Sequence, residues 1–214
     1  MPSPASLRVF GLLPFRGLGD PKSRLGSELA GPERRQLARD LLLRAVEAML
    51  AGGVDELAIV TLDQRLGEEL GDPRPHILVQ RSGGLNEAVR QGQRWAVAHG
   101  ADALLVLLPD LPLIEAPDVQ ALLAVAEPHA AVIAPDRHGS GTNALLLAPP
   151  DTIMPAFGEH SAQRHRLALA LADVPVTDVQ RPGTHLDLDT PDDLRRYASL
   201  RAESRAAQGV ANGS

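Results

Sequence analysis

The chain has 214 residues, 44% of them hydrophobic, which suits one domain with a sizeable core. One Trp, one Tyr and three Phe leave Leu, Val, Ile and Ala to build that core, and argue against base-stacking platforms for single-stranded nucleic acid. A formal net charge of -6 excludes a broad polynucleotide footprint, and the lack of Cys excludes disulfides, thiolate metal sites and thiol nucleophiles.

Leu7 to Leu13 reads as a first strand, followed by a Gly- and Pro-containing loop, Pro14 to Gly26. Pro32 opens a helix whose apolar positions Leu37, Leu41, Leu42, Ala45, Ala48 and Met49 keep a helical period until Gly52 and Gly53 end it. Glu56 to Thr61 is the next strand, then a short helix near Gln64 to Leu70, a strand at His76 to Gln80, and a helix over Leu85 to His99 stopped by Gly100. Ala103 to Leu108 has no polar alternation, as a central parallel strand buried on both faces requires. A helix around Asp118 to Ala126 and a strand at Ala130 to Ala134 follow. Asn143 to Ala148 is reached through a short loop, Pro135 to Gly141, so this last pair is expected to be antiparallel. A helix from Ser161 to Ala172, a strand at Val174 to Val179, the segment His185 to Leu188 and a helix from Pro191 complete the series.

This alternation predicts a single α/β domain over residues 1–202, with a mostly parallel mixed sheet and helices on both faces. The small, polar end, residues 203–214, is expected to be a disordered tail. The apolar runs are far shorter than a membrane span of roughly 20 residues. Met-Pro-Ser-Pro-Ala-Ser at the amino terminus lacks a basic segment leading into a long apolar one. The expectation is a cytoplasmic protein with neither membrane nor nucleic acid as a partner, and with oligomeric state open, a homodimer included.

Five segments could carry chemistry. Pro109-Asp110-Leu111-Pro112 directly follows the most buried strand, and open α/β sheets bind ligands outside the carboxyl ends of their strands. A carboxylate there can hold Mg2+ facing a triphosphate, although an Asp starting a turn before Pro fits equally well. In Leu186-Asp187-Leu188-Asp189-Thr190-Pro191-Asp192-Asp193, Thr190 suits an N-cap, Pro191 the first helical position, and Asp192 and Asp193 the positive helix end. Capping leaves Asp187 and Asp189 unexplained. Alternate residues of an extended segment share a face, so these two acids, set against Asp110, would form a magnesium site; as two exposed acids they would form nothing.

The loop Phe15 to Leu25 combines glycines with the cations Arg16, Lys22 and Arg24, which suits phosphate. Pro21 before Lys22-Ser23 rules out a Walker A loop, and Lys22 at the third glycine position rules out the dinucleotide fingerprint. Arg81-Ser82-Gly83-Gly84-Leu85-Asn86-Glu87 lets a ligand approach backbone and helix amides, but a tight loop is a sufficient explanation. Gly139 to Asn143 and Phe157 to Ser161 offer amides and hydroxyls to a small anion, or a flexible turn. His160 and His165, with no third partner, are not read as a zinc site.

Taken in order, Pro21-Lys22-Ser23-Arg24-Leu25, Gly83 to Val89, Leu107 to Leu113, Ala134 to Leu147, Phe157 to His165 and the Asp187 segment resemble the guanylyltransferases that activate 2-phospho-L-lactate or phosphoenolpyruvate in coenzyme F(420) biosynthesis. That family belongs to the molybdenum-cofactor-guanylyltransferase-like and sugar-nucleotide nucleotidyltransferases. The resemblance implies a Rossmann-like nucleotidyltransferase fold. It implies that Asp110, Asp187 and Asp189 bind Mg2+, and that Lys22 and Arg24 contact the triphosphate of GTP, with Lys22, Arg24 and Asp110 catalytic. It also implies that Ser82, Gly83, Gly84 and Asn86 lie near the guanine, and that Thr142, Gly158 and Ser161 hold the carboxylate end of a phosphorylated three-carbon acid. Family members usually carry Val-Lys-Pro after the first strand; here Leu12-Leu13-Pro14 precedes Phe15-Arg16, and Arg16 stands in for the lysine at the nucleotide. The implied reaction is in-line attack of an acceptor phosphate oxygen on the α-phosphorus of GTP with release of pyrophosphate. Alternatives are a nucleotidyltransferase for a molybdopterin or sugar phosphate, and a non-catalytic nucleotide-binding module.

Overall fold

The apolar runs become strands β1 (Val9–Pro14), β2 (Glu56–Thr61), β3 (His76–Val79), β4 (Ala103–Leu107), β5 (Ala131–Pro135), β6 (Thr142–Leu147) and β7 (Val176–Asp178). They are seen in a computed structural model that describes residues 7–19, 21–81 and 83–211, with side chains of the last helix described as far as Glu203. Among the described residues they form one seven-stranded sheet in the order β3-β2-β1-β4-β6-β5-β7. Every neighbour is parallel except β6, which runs antiparallel to both β4 and β5, as the short loop before it led us to expect. Helices α1 (Gly31–Gly52), α2 (Leu66–Leu70), α3 (Leu85–Ala98), α4 (Ala116–Leu123), α5 (Ser161–Leu171), α6 (Pro182–His185) and α7 (Pro191–Ala211) connect and cover the strands.

Because successive strand residues face opposite sides, each central strand feeds two cores. Leu13, Leu57, Ile59, Leu105 and Leu107 pack beneath Leu42, Ala45 and Met49 of α1 and Val119 of α4. Phe10, Leu12, Ala58, Val60, Leu104 and Val106 pack beneath Ala88, Val89 and Trp95 of α3 and Leu169 of α5. Each fully buried Leu or Ile in these layers stabilises the fold by roughly 1.5–3 kcal/mol relative to exposure. The helix on the second face sits close because α3 carries Gly92 at the contact: a Cβ there would stand 2.2 Å from Leu12 Cδ2.

Two differences from the sequence expectations have simple causes. The strand expected over Val174 to Val179 is only Val176–Asp178, all exposed, because it lies at a sheet edge with a partner on one side alone. The segment expected from His185 begins instead in the four-residue helix α6, and Leu186 to Asp189 runs on with no strand pairing. Four residues are too few to display a helical period.

Order reversal in the sheet fixes where a ligand can sit. From β1 the chain proceeds outward through β2 and β3, then returns across the sheet to β4 on the other side of β1. The loops leaving β1 and β4 therefore part from each other and open a crevice at their carboxyl ends.

Candidate active site

A cleft of about 970 Å³ occupies that crevice. It is lined by the loop after β1, including Arg16, Gly17, Gly19, Lys22 and Arg24, by Leu85 at the start of α3, and by Pro109, Asp110 and Asp189. The apolar residues of these loops explain how distant charges meet. Leu25, Leu41 and Leu188 are buried together in a small third core. The Leu188 amide also donates to the Asp110 carbonyl at 3.0 Å, which ties the segment before α7 to the end of β4. The alternation expected at Leu186-Asp187-Leu188-Asp189 is present although no strand forms: both leucines are buried and both acids are half-buried.

Lys22 is the hub. Its Nζ lies 2.7 Å from Asp189 Oδ1 and 3.3 Å from Asp110 Oδ2. Burial alone would lower the Lys22 pKa, but the Asp110 and Asp189 charges outweigh it and hold the ammonium above its ordinary value. Lys22 also has left-handed backbone torsions, φ 53° and ψ 42°, immediately before a 3-10 turn over Ser23–Leu25. A non-glycine residue in that region is uncommon and strained. Here it directs the side chain across the cleft floor, while Arg16 and Arg24 line the same cleft with no ion-pair partner among the described residues.

Of the three predicted metal ligands, Asp110 and Asp189 line the cleft, and Asp187 stands outside its lining. Asp110 Oδ1 is buried with no hydrogen-bond partner, the only such side-chain atom among the described residues. Asp187 has its pKa raised, first by burial and then by the charge of Asp110, with a backbone hydrogen bond opposing and Asp189 and Asp193 adding to the rise. Arg137 Nη1 stands 4.0 Å from Asp187 and 2.5 Å from the buried Asp193. Asp193 in turn accepts from the Thr190 amide and hydroxyl, both at 2.8 Å, and its own amide donates to Thr190 Oγ1, so the start of α7 is capped as the sequence suggested. Among the described residues no three His, Asp or Glu side chains are gathered to hold a metal ion by themselves. The donor chemistry nonetheless fits a hard cation completed by phosphate and water: a buried carboxylate oxygen without a partner, and a neighbouring carboxyl whose ionisation is resisted by burial and then by other acids.

Of the remaining sequence-derived residues, Ser82 lies outside the described residues. Gly83 has φ 105°, and a Cβ there would stand 2.9 Å from Glu87 Cβ, so glycine is required by both torsion and space. Gly84 is the N-cap of α3, with open space around it. Asn86 does not line the cleft; its side chain is bonded to the backbone of Phe157.

Thr142, Gly158 and Ser161 are absent from the cleft lining and gather instead around α5. Gly158 has φ 114°, again a conformation for glycine, and the Ser161 amide donates to its carbonyl at 3.1 Å. The sequence considers His165, one turn beyond Ser161, only as a zinc ligand and gives no sign of its contact with Thr142. The Ala156 amide donates to His165 Nε2 at 3.0 Å, which places the neutral ring's hydrogen on Nδ1. Nδ1 then donates to Thr142 Oγ1 at 3.1 Å and leaves the threonine hydroxyl hydrogen available to another acceptor.

Burial and then the charge of Arg164 lower the His165 pKa to about 4. The unfolded ring binds a proton near 6.5 and the folded ring only near 4, so acidification between these values favours the unfolded chain. Relative to a His165→Gln variant, the native protein is expected to lose up to ~3 kcal/mol of stability across that window, read as urea midpoints. The raised carboxyl of Asp187 acts in the opposite sense in both proteins, so their difference isolates His165. Parallel pH profiles would show that this ring is not held neutral.

A switch-point cleft that sets Lys22 between Asp110 and Asp189, in a sheet with one reversed strand, fits the nucleotidyltransferase class. The solved structures agree on the fold: a protein from Desulfovibrio desulfuricans, described as a candidate nucleotide-diphospho-sugar transferase, superposes with a TM-score of 0.73 at 20% identity, over 88% of this chain and 85% of its own. Residues 9–196 match the family model described as "Guanylyl transferase CofC like", and the chain belongs to that guanylyltransferase family. It is 38% identical over 193 residues to a phosphoenolpyruvate guanylyltransferase of Sphaerobacter thermophilus (90% of this chain, 93% of that one). It is 42% identical over 191 residues to the protein of the same name from Rubrobacter xylanophilus (89% and 93%). A 3-phospho-D-glycerate guanylyltransferase of Phenylobacterium zucineum is 33% identical over 202 residues (92% and 93%).

Proposed function

We propose that this guanylyltransferase moves GMP from GTP onto a phosphorylated three-carbon acid, phosphoenolpyruvate foremost, releasing pyrophosphate in coenzyme F(420) biosynthesis. The observation that carries the proposal is the pairing of Lys22 with Asp110 and Asp189 on the floor of the switch-point cleft. Two of the nearer relatives are named for phosphoenolpyruvate, which favours that acceptor over 2-phospho-L-lactate and 3-phospho-D-glycerate.

The acceptor phosphate is already ionised at neutral pH, so the chain needs no general base. Its residues act by alignment and by neutralising charge. Arg16, Lys22 and Arg24 hold the triphosphate, and the amides around Gly83 and Gly84 face the base. Thr142, with its hydroxyl oriented by His165, together with Gly158 and Ser161, takes the carboxylate of the acid. Asp110, with Asp187 and Asp189, would hold Mg2+, whose chemistry is to neutralise triphosphate oxygens and polarise the α-phosphoryl group. No helix of the described residues is long and apolar enough to cross a membrane, and a cytoplasmic setting with ready access to GTP belongs to the same reading.

Purified protein incubated with Mg2+, GTP and each of the three acids in turn is expected to release pyrophosphate, fastest with phosphoenolpyruvate. Omitting Mg2+ should stop release. Silence with all three acids would refute the acceptor class, and release unaffected by chelation would refute the metal.

A further inference from the structure

We infer that Asn86 is a positioning residue for the acceptor side rather than a reader of the nucleotide base. This rests on the proposed acceptor site around Thr142, Gly158 and Ser161. Asn86 occupies the first turn of α3, next to Leu85, which lines the cleft. Its own side chain turns away. Asn86 Nδ2 donates to the Phe157 carbonyl at 3.1 Å, and the Phe157 amide donates to Asn86 Oδ1 at 2.7 Å, across 71 residues of sequence. Only one orientation of the amide satisfies both bonds, since a flip would set donor against donor and acceptor against acceptor. The edge used is the one through which an asparagine reads a base in bidentate fashion, and it is already occupied.

The other end of the link is equally well defined. Phe157 is 5% exposed, its ring packs edge-on against His165 with centroids 4.9 Å apart, and Arg164 Nη2 donates to its carbonyl at 3.3 Å. Phe157 is thus fixed between Asn86 and α5, immediately before Gly158 and its left-handed turn. The loop that approaches the nucleotide and the loop that takes the acid share this joint. Loosening it should mislocate Gly158 and Ser161 while leaving the backbone at Gly83 and Gly84 in place.

The test is Asn86→Ala and Asn86→Asp, the latter keeping size and the acceptor oxygen but setting a carboxylate oxygen against the Phe157 carbonyl. Both are expected to raise KM for phosphoenolpyruvate about tenfold or more, with KM for GTP and the GTP-to-ATP rate ratio within about threefold of native. Amide hydrogen exchange of the intact protein supplies a second readout that needs no turnover: the Phe157 amide should exchange at least about tenfold faster in Asn86→Ala. A collapse of the GTP-to-ATP ratio with an unchanged acceptor KM would overturn the inference, as would unchanged Phe157 exchange. If the native protein turned over none of the three acids, the functional proposal would fall, and the exchange measurement would still decide whether Asn86 holds the loop.

Discussion

Asp110→Ala is expected to reduce guanylyl transfer by at least about a thousandfold, some 4 kcal/mol of transition-state stabilisation, while leaving the fold intact. The carboxylate stands just beyond β4, and its backbone carbonyl, not its side chain, holds Leu188 in place. Removing the side chain therefore leaves the junction between β4 and the segment before α7 unchanged. It also removes the one buried side-chain oxygen without a partner among the described residues, and Lys22, which loses its 3.3 Å contact with Asp110, keeps the shorter one to Asp189, so the fold should survive. A buried acceptor left unbonded costs free energy, and the cation of the proposed mechanism would supply the partner it lacks. Asp110→Asn makes the comparison stricter by keeping shape and removing charge. Pyrophosphate release measures activity, and a thermal melt controls for folding. Near-native turnover in either variant would take Asp110 out of the metal site.

Lys22→Met should act in two opposed directions. The native ammonium stays charged at neutral pH because Asp110 and Asp189 hold its pKa up. In the proposed mechanism it would therefore serve as a fixed cation, not a proton donor. Losing it is expected to lower kcat by about 100- to 1000-fold, the scale on which removing one charge-stabilising group acts in a water-poor site. The same ammonium already occupies Asp110 and Asp189, so it would compete with the divalent ion of the proposed site. In the absence of nucleotide, the variant should consequently bind Mg2+ more tightly than the native protein, by calorimetry or by competition with Mn2+. Weaker Mg2+ binding together with reduced turnover would mean that Lys22 helps assemble the carboxylates instead of competing for them.

Much of the fold was legible because its elements are long and locally consistent. Glu56–Thr61 emerged with the expected bounds, and the unbroken apolar run at Ala103–Leu107 is indeed central, flanked by β1 and β6. The alternation at Asp187 and Asp189 survived without a ladder, because extended backbone turns alternate side chains apart whether or not it is paired. Contacts across the chain were another matter. Lys22 lies 88 residues from Asp110 and 167 from Asp189, so their meeting depends on sheet order and on the packing of Leu25 against Leu188, neither of which is a local pattern. The contacts of Asn86 and His165 were hidden for the same reason. Next to Gly83-Gly84, an asparagine looks like part of a ligand loop, and its bonds to Phe157, 71 residues away, leave no local trace. The shortest pieces, α6 and the edge strand β7, carry too few residues for any period to show.

The reversal of β6 sets the proposed acceptor side apart from the proposed nucleotide side. Leu107 of β4 lies opposite Ala144, so β6 sets out from the edge of the cleft where β4 arrives. Residues 136–141 consequently form a turn between two antiparallel strands, outside the lining of the cleft, whereas the loops after β1 and β4 line it. Lengthening or shortening that turn would alter the reach of Thr142 without disturbing the β3-β2-β1-β4 ladder or the charges mounted on it. Exchange of residues 136–161 between relatives is thus a feasible way to transplant acceptor preference onto an unchanged donor half, provided that the partner of Asn86 travels with it.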